Sequence, residues 1–231
     1  MGFVAGTKLL VEFNGDDAAT TYTAETGQTV TFAAGSAQLD TSQKKFGSAS
    51  LSVATTGGGY VSVPDSADWN FGTGAFTIDF WVRRAANWSA STRYMIYQAS
   101  GSGYIAVVYV NGNTCFIATN PDTAAYLIYL RFAWAPSDAT WHHVTVVRSG
   151  NTWYIFIDGT SKALTLVAGA YDCTMPDLGG ALLIGGSASY AVYGWMDSVR
   201  VVKGYALWTA NFTPPASEAA YRTMLQQAIL I

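Results

Sequence analysis

The feature that most constrains this chain is a two-residue alternation of apolar side chains that restarts after cluster upon cluster of glycine, asparagine or serine. In AFTIDFWVRR, residues 75–84, Phe76, Ile78, Phe80 and Val82 fall on one face and Thr77, Asp79, Trp81 and Arg83 on the other. Similar runs follow one another from KLLVEF near the start, through RYMIYQA, YIAVVYV, TCFIAT and AYLIYLRFA, to WMDSVRVVKG. So many strands in one chain require two facing sheets, and the pattern predicts an all-β sandwich. SGN at 149–151 and DG at 158–159 are tight-turn signals, because Asn and Gly accept positive φ at little cost. They make residues 140–166 a meander, in which Trp141 to Gly159 is a hairpin turned at SGN.

That hairpin carries both histidines, His142 and His143. Adjacent strand residues leave on opposite faces, so the pair cannot hold one metal or relay one proton together. The expectation is one buried, hydrogen-bonded histidine beside Trp141 and one facing a neighbouring strand or solvent.

A chain of 231 residues without a central compositional break reads as one domain. Half the residues are hydrophobic and only 12% are charged, against roughly 25% in an average soluble domain. The net charge is −3 and the basic residues are scattered, which excludes a nucleic-acid footprint. Low charge with 23 glycines points to surface covered by neighbours and to self-association. No stretch reaches the roughly 20 apolar residues of a membrane span. The start, MGFVAGTKLLVEFNGDD, lacks the signal-peptide pattern, so a soluble protein made in a cytoplasm is expected. Cys115 and Cys173 allow one disulfide and require none; two reduced thiols are expected.

The last residues differ. After NFTPPASEAAY, the segment 216–231 lacks alternation and is rich in helix formers, with Ser217 as a candidate N-cap. The chain therefore divides into a sandwich over 1–215 and a C-terminal helical anchoring segment over 216–231. Its apolar residues Tyr221, Met224, Leu225, Ile229, Leu230 and Ile231 are candidates for an interface, either with the chain's own sandwich or with another subunit.

FGSASLSV, GGYVSVPDSADWNFGTGAFTIDFWVRR, WHHVTVVRSGNTWYIFIDG, LLIGG and GWMDSVRVVKGYALWTANFTPP occur in order between residues 46 and 215. Together they resemble the concanavalin A-like lectin and glucanase superfamily in its laminin-G-like, pentraxin-like branch. The resemblance implies a two-sheet antiparallel jelly roll with a short C-terminal helix appended, whose first and last strands are neighbours. The version ending in KGYALWTANFTPP is similar to domains of tailed-phage virion proteins and bacterial surface proteins. No cofactor is required by this resemblance, but it implies a structural calcium between the first-strand loop and the last strand, at Asp16, Asp17 and Asp197. Calcium needs six to eight oxygens, and Asn14 stands where the family often has Asp; Asp16 and Asp17 are equally readable as turn residues.

Catalysis finds little here. Retaining glucanases of the superfamily need two carboxylates about 5 Å apart, on a Glu-x-Asp-x-Glu strand that in this chain reads TIDFW, with Thr77 and Trp81 at the glutamate positions. The three glutamates, Glu12, Glu25 and Glu218, are far apart in sequence. The expectation is a protein that is not an enzyme. Sugar binding needs exposed rings beside polar groups, and the loop-edge candidates are Trp88, Tyr104, Trp134, Tyr190 and Tyr193, though most aromatics of a β protein are structural. Two functions are expected from these readings. The first is a non-enzymatic virion subunit, decorating a capsid or a tail, localised to the virion with other virion proteins as partners. The alternative is a lectin-like module that attaches to cell-surface glycans.

Overall fold

The computed structural model describes residues 3–33, 37–53, 59–85, 88, 91–134 and 136–223, and these form two antiparallel sheets of eight and nine strands. The eight-stranded sheet runs, in spatial order, Thr160–Ser161, Thr152–Ile157, Trp141–Ser149, Phe76–Arg84, Gly194–Lys203, Ser50–Val53 and Gln38–Asp40. One edge of Gly194–Lys203 is shared between two partners, with Met196 opposite Leu51 and Leu10 of Thr7–Val11 opposite Arg200. The first and last strands are thus neighbours. The nine-stranded sheet runs Thr165–Gly169, Tyr126–Ala133, Asn113–Thr119, Gly103–Val110, Arg93–Ser100, Leu182–Ile184, Val61–Val63, Thr29–Phe32 and Thr21–Thr23. The fold is an all-β jelly-roll sandwich with one short helix, Glu218–Thr223.

Alternation sorts the side chains between layers. Phe76, Ile78, Phe80 and Val82 enter the core with Phe116, Leu130, Val144, Val146 and Trp153. The Trp153 ring lies 5.6 Å from Phe76 and 5.1 Å from Phe116, bridging the two sheets. Each such side chain contributes about 1.5–3 kcal/mol through burial. The turns follow the chemistry read from sequence. Ser149 and Thr152 pair around Gly150, whose φ is 59°, and Asp158 and Gly159 both have positive φ between the paired Ile157 and Thr160. Asn111 and Gly112 repeat this between Val110 and Asn113.

The eight-stranded sheet is covered on both faces. Its outward residues Thr77, Asp79, His143 and Arg200 are wholly buried, because the chain after Lys203 returns across them. Thr77 Oγ1 donates to Tyr205 O and accepts from Leu207 N. Trp208 stacks on Phe212 at 4.0 Å, Phe212 packs edge-on against Phe156 at 5.2 Å, and Arg200 Nη1 donates to Tyr221 O at 2.8 Å. Val4 joins Val202 and Leu207 on the same face. The helix Glu218–Thr223 is therefore laid on the chain's own sheet, with Tyr221 buried among Leu10, Phe46, Trp81 and Trp141. Residues 224–231, with Met224, Leu225, Ile229, Leu230 and Ile231, lie outside the described residues.

The histidines divide as strand geometry requires. His143 is buried, its Nε2 3.2 Å from Asp79 Oδ2, within a box of Trp81, Trp208, Phe212 and Tyr221 rings. His142 lies near the rim, its Nδ1 2.7 Å from Asp158 Oδ2, with its Nε2 accepting from Ser137 N. Asp158 Oδ1 also accepts the His143 backbone N–H, so one carboxylate clamps the hairpin at both histidines.

Candidate functional site

The outer face of the nine-stranded sheet is built differently. Cross-strand pairing places directly opposed residues on one face, and one row can be followed through the register. Tyr97 lies opposite Ala106, Ala106 opposite Ile117, and Ile117 opposite Tyr129. On the other side of Tyr97 the row continues through Leu183, Ser62 and Thr31. A parallel row places Tyr94 beside Val108, Cys115 and Arg131. Ala106, Val108, Cys115 and Ile117 form an apolar cluster separate from the main core, roofed by Tyr94, Tyr97, Tyr104 and Tyr129. The result is a small-residue floor with tyrosine rings standing around it.

Two irregularities create this arrangement. Strict alternation puts residues three apart on opposite faces. A bulge between Tyr94 and Ile96 turns both Met95 and Ile96 into the core, and Tyr94 and Tyr97 end on the same outer face with ring centroids 4.6 Å apart. The shift at Thr119, opposite Tyr126, does the same for Tyr126 and Tyr129, whose centroids are 5.3 Å apart. Tyr190, from the loop after Leu182–Ile184, extends the series by packing edge-on against Tyr94 at 5.6 Å, while Tyr104 lies 6.0 Å from Tyr97. Tyr126 and Tyr190 are among the most exposed large side chains, at 47% and 46%.

Burial holds the four inner phenols, Tyr94, Tyr97, Tyr104 and Tyr129, in the neutral form. Burial raises the pKa of Tyr94, Tyr97 and Tyr129, and pushes Tyr104 up to about 12, helped by the surrounding tyrosines. Burial likewise raises the Cys115 thiol, whose Sγ lies 4.0 Å from the Tyr129 hydroxyl. Neutral rings with hydroxyl donors at their edges can stack on an apolar ligand face and hydrogen-bond at its rim.

Of the ring candidates read from sequence, Tyr104 and Tyr190 come together here, joined by Tyr94 and Tyr97. Trp88 does not: it is fully buried, donating from Nε1 to Tyr193 O and packing on Tyr109, so it presents no face to a ligand. Tyr193 is half-buried beside it. Trp134 stacks on Phe132, meets His142 edge-on and packs on the main core, away from the tyrosine cluster. The sequence reading missed Tyr94, Tyr97, Tyr126 and Tyr129 because it sought rings in loops. The signal was the Tyr-x-x-Tyr spacing in RYMIYQA and AYLIYLRFA.

The calcium expectation meets a donor set that does not fit. Asp197 is buried and its Oδ2 accepts the backbone N–H groups of Lys45 and Phe46, while Oδ1 accepts from Ser198. Asn14 turns Oδ1 to Ser48 N and Nδ2 to Glu218. Asp17 accepts from Thr41, and Asp16 caps a turn through its carbonyl. The side-chain oxygens of Asp197 and Asn14 are engaged by hydrogen-bond donors, and among the described residues no group of three acidic, histidine or cysteine side chains is placed to hold a metal.

The three glutamates, distant in sequence, converge on the C-terminal helix. Arg222 Nε donates to Glu12 Oε1 at 2.9 Å, with a second bond from Nη2 to Oε2. Glu25 accepts from Glu12 N and from the Tyr22 hydroxyl, and Glu218 accepts from Asn14. Glu12 is wholly buried with both oxygens engaged, so this cluster fastens the helix to the first strand.

Comparison with known proteins agrees with the architecture. Residues 55–208 match the Laminin_G_3 family of the concanavalin A-like lectin/glucanases superfamily. No curated protein matches the sequence. The receptor-binding domain of botulinum neurotoxin C/D mosaic serotype superposes with a TM-score of 0.65 at 14% identity, over 87% of this chain and 49% of that one. The chain thus spans about half the length of that neighbour. The botulinum neurotoxin serotype D ligand-binding domain in complex with N-acetylneuraminic acid gives 0.61 at 14% identity, over 87% and 48%. Domain 4 of AbnA, an extracellular arabinanase of Geobacillus stearothermophilus, in complex with arabinotriose, gives 0.60 at 14% identity, over 88% of this chain and 95% of that domain. Fold, strand order and sequence family agree: the chain belongs to the concanavalin A-like lectin/glucanase superfamily.

Proposed function

We propose that this domain is a non-catalytic carbohydrate-binding module whose contact surface is the outer face of the nine-stranded sheet, centred on Tyr97, Tyr104 and Tyr129. The observation that carries the reading is the tyrosine cluster itself, standing on a floor of Ala106 and Cys115 with Tyr126 and Tyr190 exposed beside it. A pyranose presents C–H groups on its faces and hydroxyls at its rim, and neutral phenols match both. Thr31 and Ser62 continue the row with further hydroxyls. The complexes of structural neighbours with arabinotriose and with N-acetylneuraminic acid support the reading.

This replaces the virion-structural role as the leading proposal. That role rested on the phage-like tail sequence, the start without a signal pattern, the low charge and the apolar end of the chain, whose last eight residues lie outside the described residues.

A glycan array followed by calorimetry tests the proposal. Tyr97→Ala and Tyr129→Ala should each weaken binding about tenfold or more, the loss of a central aromatic anchor. Trp134→Ala should bind like wild type. Absence of any glycan ligand, or wild-type binding by Tyr97→Ala, overturns it.

A further inference from the structure

The charges of the chain are divided unequally between its two sheets. None of the 15 Asp and Glu residues occurs in any strand of the nine-stranded sheet, whose only charged residues are Arg93 and Arg131. The strands of the eight-stranded sheet, by contrast, hold both signs, with Asp40, Asp79 and Asp197 among Lys8, Arg83, Arg84, Arg148, Arg200 and Lys203. In a protein of net charge −3, the only charged residues in the strands of this sheet are thus positive. The guanidinium of Arg93 is engaged with Ala191 O at the sheet's end. Arg131 is exposed, lies opposite Cys115 in the tyrosine cluster, and forms no ion pair with a described residue. Its charge reaches the cluster, partly offsetting burial at both Cys115 and Tyr129.

We propose that the tyrosine face takes a linear oligosaccharide of hexuronic acids, with Arg131 receiving a sugar carboxylate while the rings of Tyr97 and Tyr129 hold the pyranose faces. This rests on the carbohydrate-binding reading above and specifies its ligand class. Three arguments carry it. A guanidinium forks onto a carboxylate with two parallel hydrogen bonds, which selects an acid over a neutral sugar. No acidic side chain in the strands of this sheet repels the ligand or competes for Arg131. And Tyr97 and Tyr129 stand three strand spacings apart, about 14 Å, a span for a chain of sugars rather than one terminal unit.

Calorimetry on the whole protein tests it, with trigalacturonate and the neutral galactotriose of the same linkage as probes. Trigalacturonate should bind at least about tenfold more tightly than its neutral counterpart, and raised salt should narrow the gap. Arg131→Gln should abolish the preference, weakening trigalacturonate far more than the neutral trimer at an unchanged melting temperature, and Arg131→Lys should restore part of it. Equal affinity for both trimers, or equal losses for both in Arg131→Gln, overturns the uronate assignment and leaves the carbohydrate reading standing. Tighter binding of sialyllactose than of trigalacturonate also overturns it, in favour of a terminal acidic sugar. If no saccharide binds at all, both fall.

Discussion

Arg200 forks onto Asp79 through two hydrogen bonds, Nε to Oδ1 at 2.9 Å and Nη2 to Oδ2 at 3.0 Å, with both side chains wholly buried between the sheet and the returning C-terminal segment. Removing one partner leaves a charge without solvent or counter-ion. Arg200→Met should therefore cost about 3–5 kcal/mol in equilibrium urea unfolding. The double variant Asp79→Leu/Arg200→Met should cost less than the sum of its single changes, because neither charge remains. Simple additivity would show that the pair is not coupled.

His143 gives stability a pH dependence. Burial is the largest influence on its pKa and lowers it below the ordinary 6.5, although Asp79 pulls the other way. The unfolded chain binds this proton near pH 6.5, whereas the folded chain binds it only at lower pH. The stability contributed by neutral His143 is complete above that value and is lost as pH falls through the folded pKa. Asp197 acts in the opposite sense: burial raises its pKa to about 7, so its contribution is present in acid and is lost as pH rises through about 7. The difference between wild type and His143→Gln isolates the histidine. Melting temperatures should diverge in favour of the variant below pH 6.5, and parallel curves would refute the assignment.

Gly150 and Gly159 both have positive φ, but a methyl group at Gly150 meets open space while at Gly159 it meets the backbone carbonyl of Phe212. Gly150→Ala should cost about 1 kcal/mol, the backbone preference alone. Gly159→Ala should cost clearly more, because the returning segment must shift away from its seat on Phe156. Equal losses in thermal unfolding would mean that the segment is not held at this contact.

Cys115 and Cys173 are both free, the first buried under the tyrosines and the second half-exposed, and burial raises both thiol pKa values. A thiol reagent should modify Cys173 first, with Cys115 reacting only as the sheet face opens. Faster reaction at Cys115 would show that the tyrosine roof is loose.

Much of the fold was legible because alternation, turn chemistry and motif order report on neighbours along the chain. The hairpin from Trp141 and the inward set from Phe76 to Val82 follow directly. The candidate site was less legible, for two physical reasons. Bulges at Met95 and opposite Tyr126 reset the alternation, so Tyr94 and Tyr97 share a face that strict period-two counting denies them. Burial by a distant segment is likewise invisible locally: Trp88 is a core residue and Tyr221 is covered by its own sheet. Convergence of Glu12, Glu25 and Glu218 has the same character, since only the closed sandwich brings residues more than 200 positions apart into contact.

Val4 and Tyr221, close to the first and last described residues, pack on the outer surface of the eight-stranded sheet, the side of the sandwich away from the tyrosines. A linker grafted at Val4 or at Tyr221 would leave the sandwich from the side opposite the tyrosines. Many copies arrayed on a common scaffold would all turn their aromatic sides outward, and weak single-site contacts could then add up across the array.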